Sequence, residues 1–293
     1  MNNRNKLYMI LLSLVIVSTL FILNSIENKE EEDLHHLNEA EFLVKDLQNN
    51  VLTLRRNEKD FLLRQEEQYG IKFSKNYKTL QESINSLINH LDEENIDSSL
   101  LLKFSNSVNT YTLLFKRIVE KQKQFGLNEN DSKYLELRQT AHKLLDNIKL
   151  NKKLLSDILQ LRRYEKDFLL RKNLKYRDLF LKKEAAILES PLQQKNVDLL
   201  KEYKIKFIGL VKLQEQIGLN RNTGLMGQMR NSIHESEEIL EVLASKLIEE
   251  IEVQVFETSR VTDMFIMALF IIVILIITIL VKFFMSESKV NEL

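Results

Sequence analysis

An all-α fold is predicted for this chain: two stacked antiparallel helical bundles held between two membrane-spanning helices. Three observations predict it. Helix breakers are scarce, an uninterrupted apolar run lies near each end, and the polar stretch between them repeats itself. The 293 residues include one Pro and six Gly, too few to turn the corners of a sheet protein. There is no Cys, which excludes disulfides and thiolate metal sites. Lys plus Arg and Asp plus Glu number 42 each, so no global field favours a nucleic-acid partner.

Residues 7–23 (LYMILLSLVIVSTLFIL) and 264–281 (MFIMALFIIVILIITILV) carry no charge. A hydrocarbon core about 30 Å thick takes roughly 17–25 helical residues, so both runs are long enough to span it. The first run continues as Asn24-Ser25-Ile26-Glu27, without a small-x-small cleavage pattern, and is expected to remain an uncleaved anchor. Arg4 and Lys6 precede it, Lys282 and Lys289 follow the second run, and residues 27–33 (ENKEEED) are acidic. Positive flanks stay cytoplasmic. The expected layout in the cell membrane is therefore a cytoplasmic N-terminus and first span (1–24), an extracytoplasmic domain (25–262), a second span (263–284) and a cytoplasmic tail (285–293). Arg260 lies on the outer side, near the interface, where its head can snorkel to water.

The external part is a diverged duplication. LRRNEKDFLLR begins at Leu54 and LRRYEKDFLLR at Leu161, 107 residues later, with Asn57 against Tyr164 the one difference. Tyr69 and Tyr176 keep that offset. Residues 111–130 and 203–222 are related by an offset of 92, which continues through Arg138/Arg230 and His142/His234. The order is the same in both halves, so the copies are placed at about 40–148 and 149–255, as stacked or interleaved modules. Punctuation predicts helices over about 27–67, 70–93, 97–125, 130–172, 174–190, 191–216 and from 223 into the second span. Gly70, the Gly126 and Gly218 turns, and Ser190-Pro191 mark the breaks. A domain that leaves and returns at one membrane face needs an even number of antiparallel helices. Seven segments therefore imply that one break, at Gly70 or Pro191, is a kink.

The seam Val44, Leu47, Val51, Leu54, Glu58, Phe61 has alternating three- and four-residue spacing, as does Asn151, Leu154, Ile158, Leu161, Glu165, Phe168. Each places a carboxylate, Glu58 or Glu165, on a buried stripe, where it needs a partner. Arg55 and Arg162, three residues earlier, are within reach on the same face. Arg56 and Arg163 lie about 100° round the helix, toward a neighbour. Two uses remain open: an ion-pair layer that fixes helix register, and an arginine free to fork a carboxylate ligand.

The second shared element, residues 218–237 (GLNRNTGLMGQMRNSIHESE), combines a helix start with Arg221, Arg230 and His234. Asn222 or Thr223 can cap the helix, its first N–H groups favour an anion, and Gly224 and Gly227 admit close approach. The first copy keeps Arg138 and His142 but has Asp131-Ser132-Lys133-Tyr134 in place of the glycines, and should bind differently or not at all. His35-His36 reads as a solvated helix face, and no metal or cofactor is expected. No phosphate loop, nucleophile elbow or zinc signature is present, so no enzyme activity is expected.

At Arg55-Arg56-Asn57-Glu58-Lys59-Asp60-Phe61, its copy at 162–168, and residues 218–237, the chain resembles the helical bimodular sensor domain of bacterial methyl-accepting chemotaxis proteins. The resemblance spans roughly residues 30–260. It implies two stacked four-helix bundles, a homodimer, and recognition of small organic acids. Arg55, Arg56, Arg221 and His234 are the ligand contacts it implies, with Thr223 and Arg230 added from the geometry above and Arg138, His142, Arg162 and Arg163 as a second site. Receptors of that family continue into a cytoplasmic output domain. This chain stops at Leu293, twelve residues past Val281, so the expectation is a fragment, a degraded gene product, or a sensor that signals through a separate partner. The competing expectation is a structural membrane protein whose bundle binds another protein and no small ligand.

Overall fold

The computed structural model describes residues 3–93, 97–148 and 151–290. They form eight α-helices and no strand: α1 (Asn3–Arg64), α2 (Glu67–Glu93), α3 (Ser99–Phe125), α4 (Ser132–Ile148), α5 (Lys152–Arg171), α6 (Lys175–Leu188), α7 (Gln194–Ile217) and α8 (Gly224–Val290). The all-α prediction holds. Contacts divide the chain into one unit of Met1–Lys45, His90–Ile96 and Val242–Leu293 and another of Asp46–Asn89 and Asp97–Glu241.

Three helix boundaries differ from expectation, each for a local reason. The predicted helix over 130–172 is two helices. Asn151 caps α5, its side chain accepting from the Leu154 N–H at 3.0 Å. An Asn competes with the backbone for its own hydrogen bonds, and it ends up exposed at a helix start rather than in the buried seam. Gly70 breaks nothing. It lies within α2, where an added Cβ would meet Val119 at 3.5 Å. The chain turns instead at Gln65, in the left-handed region with φ 56°. The Ser190-Pro191 break is real, but α7 starts only at Gln194, after an extended Gln193. The additional break makes eight helices among the described residues, and the expected kink is not found: separate helices flank both the Gln65 turn near Gly70 and the Ser190-Pro191 break.

In the first unit, α8 carries the longest apolar stretch. Within Gly224–Lys282 an 18-residue window reaches a mean hydropathy of 3.4 with none of it buried, so this helix is long and apolar enough to cross a membrane. The run at 7–23 is part of α1, and most of its described side chains, Leu14, Val17 and Phe21 among them, are exposed. The side chains of 7–9, 11 and 12 lie outside the described residues, and α8 is the one helix that meets the criterion among those described.

The second unit is built from the duplicated copies. By the two offsets, α1 from residue 45 onward corresponds to α5, α2 to α6, α3 to α7, and α4 to the start of α8. Each copy repeats one aromatic node. Phe115 packs on Phe61 and Phe73, which also meets Tyr111; Phe207 packs on Phe168 and Phe180, which also meets Tyr203. All eight rings are buried, and such pairs add about 0.5–1.5 kcal/mol each beyond area burial. Arg64 over Tyr69 and Arg171 over Tyr176 repeat just outside the node.

The fourth helices are exchanged. Helix α4 belongs to the first copy, yet Leu137, Ala141, Leu144 and Ile148 share one core with α5, α6 and α7 of the second. Reciprocally, the start of α8 closes on α3. Ser107 donates to the Ser232 carbonyl at 2.9 Å, Ser232 donates to the Ser107 carbonyl at 2.9 Å, and Ser236 donates to the Ser107 hydroxyl at 2.9 Å. Three buried hydroxyls satisfied by one another let two helices approach closely where larger side chains would hold them apart. Interleaving, one of the two arrangements the repeat allowed, is what these contacts show.

The turns behind α3 and α7 are equivalent as well. Gln122 donates to the Gly126 carbonyl at 3.1 Å and Gln214 to the Gly218 carbonyl at 2.8 Å. Gly218 has φ 134°, and a Cβ there would lie 2.3 Å from the Thr223 carbonyl. Gly218→Ala should therefore cost about 1–3 kcal/mol in urea unfolding. Gly209→Ala, mid-helix with nothing within 4 Å of the new methyl, should gain about 0.5–1 kcal/mol. Equal effects would mean the turn geometry is wrong.

Candidate functional site

Both seam carboxylates are buried, as the heptad spacing predicts, and each is met by a tyrosine from the third helix of its own copy. Tyr111 donates to Glu58 Oε2 at 2.8 Å, and Tyr203 donates to Glu165 Oε2. Burial, and after it the adjacent Glu58 carboxylate, pushes the Tyr111 phenol far above the usual tyrosine range; Tyr203 is raised for the same reasons beside Glu165. Both phenols thus remain donors. The tyrosines and the glutamates keep their separate offsets of 92 and 107, so this bond is an inherited feature of the repeat.

The cations around the two carboxylates differ. In the second copy Arg162 donates to Glu165 at 2.6 Å, the i, i+3 pair that the sequence predicts. Burial works against the Arg162 charge, but Glu165 and Tyr203 outweigh it and hold the guanidinium above its ordinary value. Glu165 Oε1 has no partner among the described residues. In the first copy the expected Arg55–Glu58 pair is not formed. Lys59 reaches Glu58 at 2.7 Å, and Arg55 turns to Glu237 on α8. Exchange of the fourth helices explains the difference, because it brings an acid from the second copy to the open side of α1.

Arg55 thereby enters a polar chain that runs along α8. Arg230 Nη1 donates to Asn222 Oδ1 at 2.6 Å, and Arg230 Nε donates to His234 Nε2 at 3.3 Å. His234 Nδ1 faces Glu237 Oε2 at 3.3 Å, and the other oxygen of Glu237 holds Arg55. With Nε2 accepting, Nδ1 is the nitrogen that donates toward the carboxylate. Arg55, Arg230 and Glu237 are half-buried and His234 is exposed, so the cluster is accessible to solvent along one edge. Of the predicted ligand contacts, the structure assembles Arg55, Arg230 and His234.

It does not assemble the others. Arg56 and Arg221 are exposed, away from this chain of contacts. Thr223 stands just before α8, but its hydroxyl exchanges hydrogen bonds with the Asn220 backbone at 3.1 and 3.3 Å instead of capping the helix. Gly227 admits close approach of the chain itself: a Cβ there would meet the Asn222 carbonyl at 2.5 Å. In the second predicted site, Arg138 donates to Asn130 Oδ1 at 2.5 Å, as Arg230 does to Asn222, and pairs with Glu129 at 3.4 Å. His142 is exposed, Arg163 is an exposed partner of Asp167 at 4.0 Å, and Arg162 is committed to Glu165. These four residues do not converge.

Sequence reasoning missed Tyr111, Tyr203, Asn222 and Glu237. Both tyrosines lie in the segments related by the offset of 92, but only the fold says that they meet the glutamates. It also missed Glu184, buried on α6 and paired with Lys204 at 3.1 Å. Asn57, the one departure between the motif copies, is buried, and its Nδ2 has no acceptor among the described residues. In the first unit, donor atoms of His35, His36 and Glu39 lie within 4.8 Å of one another, and His35 and Glu39 are exposed. No family model matches this chain, nor does any curated protein or solved structure.

The two arginines at equivalent positions should differ sharply. Arg162→Met strands a fully buried carboxylate and should cost about 3–5 kcal/mol in denaturant unfolding. Arg55→Met removes a pair whose members are 29% and 26% exposed, and should cost about 1 kcal/mol or less. Reversed magnitudes would show that the Arg55–Glu237 pair is structural.

Proposed function

We propose that this chain is a membrane-bound sensory module whose duplicated helical bundle recognises a small carboxylate-bearing metabolite and passes a signal across the membrane. In this reading α1 and α8 both cross the bilayer, both termini are cytoplasmic, two stacked bundles lie outside, and two chains form a homodimer. Its kind is that of the helical bimodular sensors of chemotaxis receptors.

One observation carries the reading. Arg55 from the first copy and Arg230 and His234 from the second converge at a solvent-accessible edge, where Glu237 occupies them. An internal carboxylate held by a guanidinium and an imidazole marks the position that a ligand carboxylate can take, because the same fork geometry serves both. Glu237 is partly exposed and can move to water at little cost. The buried Asn57 donor supports a polar ligand in the same bundle. Helix α8 runs unbroken from Gly224 to Val290, so a ligand that repositions Arg230 acts on the helix that contains the apolar stretch.

A second reading has its own support. Leu52 and Leu159, Leu63 and Leu170, and Leu113 and Ile205 are exposed apolar residues at equivalent positions of the two copies, a pattern suited to docking another protein.

Calorimetry on the full chain in nanodiscs, titrated with succinate and malate, decides between them. Saturable binding that falls at least about tenfold in Arg230→Ala and in Arg55→Ala is expected, on the scale of one lost charge-assisted contact. Silence with both acids, or binding unchanged in both variants, favours the protein-docking reading.

A further inference from the structure

A cavity of about 430 Å³ lies where the two copies meet, and its composition is unusual for a chain with equal numbers of acids and bases. It holds two cationic side chains, Lys166 and Lys172, and no carboxylate. Phe125, Tyr134, Leu169 and Leu170 supply an apolar wall. The two copies contribute equivalent positions: Gln65 with Lys172, offset by 107, and Gln122 with Gln214, offset by 92.

Neither lysine pairs with a carboxylate among the described residues. Lys166 donates to the Tyr134 hydroxyl at 3.1 Å and sits over that ring, 5.2 Å from its centroid. Lys172 is half-buried, and burial alone lowers its affinity for a proton, with no acidic neighbour to offset it. Nearby acids are engaged: Asp167 with Arg163 and Arg171, Glu67 with Lys123, and Asp131 with the Leu127 N–H. The amide nitrogens of Gln122 and Gln214 are committed to the Gly126 and Gly218 carbonyls, and the two ammonium groups are the cavity's charged donors. Lys172 is also a non-glycine residue in the left-handed region, φ 51°, at a helix end where glycine is the common choice. Gln65 takes the same conformation, φ 56°, at the equivalent helix end. Each donates its backbone N–H to a node phenylalanine, Phe61 or Phe168, at 2.8 and 2.7 Å.

We infer that this junction cavity binds a small monocarboxylic acid with an apolar or aromatic body, its carboxylate held by Lys172 and Lys166 and its body against Phe125, Tyr134 and Leu169. The volume suits a molecule of that size. A carboxylate beside Lys172 supplies the missing counter-charge, and the apolar wall selects against the small, highly polar diacids assigned above to the Arg55 cluster. The inference is independent of that assignment, since the two sites share no residue.

Benzoate is the probe, with benzamide as its uncharged counterpart, titrated into the full chain in nanodiscs. Lys172→Gln is the decisive variant, because Gln65 shows that glutamine is accommodated in this conformation at the equivalent helix end. Benzoate should bind saturably, benzamide at least tenfold more weakly, and Lys172→Gln should lower benzoate affinity about tenfold with its circular dichroism unchanged. Arg230→Ala should leave benzoate binding intact, and Lys172→Gln should leave any succinate binding intact, so the failure of one site is not mistaken for failure of the other. Absence of benzoate binding, equal binding of benzamide, or full affinity in Lys172→Gln overturns the assignment.

Discussion

Ser107, Ser232 and Ser236 join α3 to α8 through reciprocal hydrogen bonds between buried hydroxyls and backbone carbonyls. The rest of the second unit depends on this contact, because it fixes which copy's fourth helix closes which bundle. Had each copy folded on itself, α4 would lie where the start of α8 lies now. Arg55 would then face α4 in place of α8, and Glu237, Arg230 and His234 would lie elsewhere. The cationic cluster is thus a product of exchange: neither copy contains it alone. The same is true of the junction cavity, whose walls are corresponding positions of the two copies.

Inside each bundle the organising element is a carboxylate that cannot reach water. Glu58 and Glu165 are held by phenols whose own ionisation is suppressed by burial and by the acid they serve. That bond and the surrounding aromatic rings are the same in both copies. The accompanying cation is what changed. Arg162 holds Glu165 within its own helix, whereas Arg55 pairs with Glu237 on α8 and Lys59 attends Glu58. One copy therefore has a locked ion pair and the other an arginine at a solvent-accessible edge. That asymmetry is why the binding reading rests on the first copy's arginine.

Much of the fold was legible because long helices advertise themselves. The paucity of Pro and Gly, the a/d spacing into Leu54 and Leu161, and the Gly126 and Gly218 turns all carried over. The failures were local. Asn151 occupied a seam position by count but acts as a helix cap by chemistry, and Gly70 was read as a break where it serves a close contact with Val119. At the site, spacing identified the buried Glu58 and Glu165, and correctly paired Arg162. It mispaired Arg55 because Glu237 lies 182 residues away, and no periodicity within a helix reports a contact that depends on which bundle a distant helix enters. Arg56 and Arg221 are contacts that the resemblance implies, and both are exposed.

Helix exchange can be tested by covalent capture, since the chain contains no native cysteine. A Ser107→Cys, Ser236→Cys double variant replaces hydroxyls 2.9 Å apart, and a Ser107→Cys, Leu144→Cys variant probes the unexchanged alternative, in which α4 takes the position of α8. On mild oxidation the 107–236 pair should form an intramolecular disulfide rapidly and the 107–144 pair should not. Rapid capture of 107–144, with 107–236 remaining reduced, would contradict the exchange and remove the basis for the Arg55 cluster.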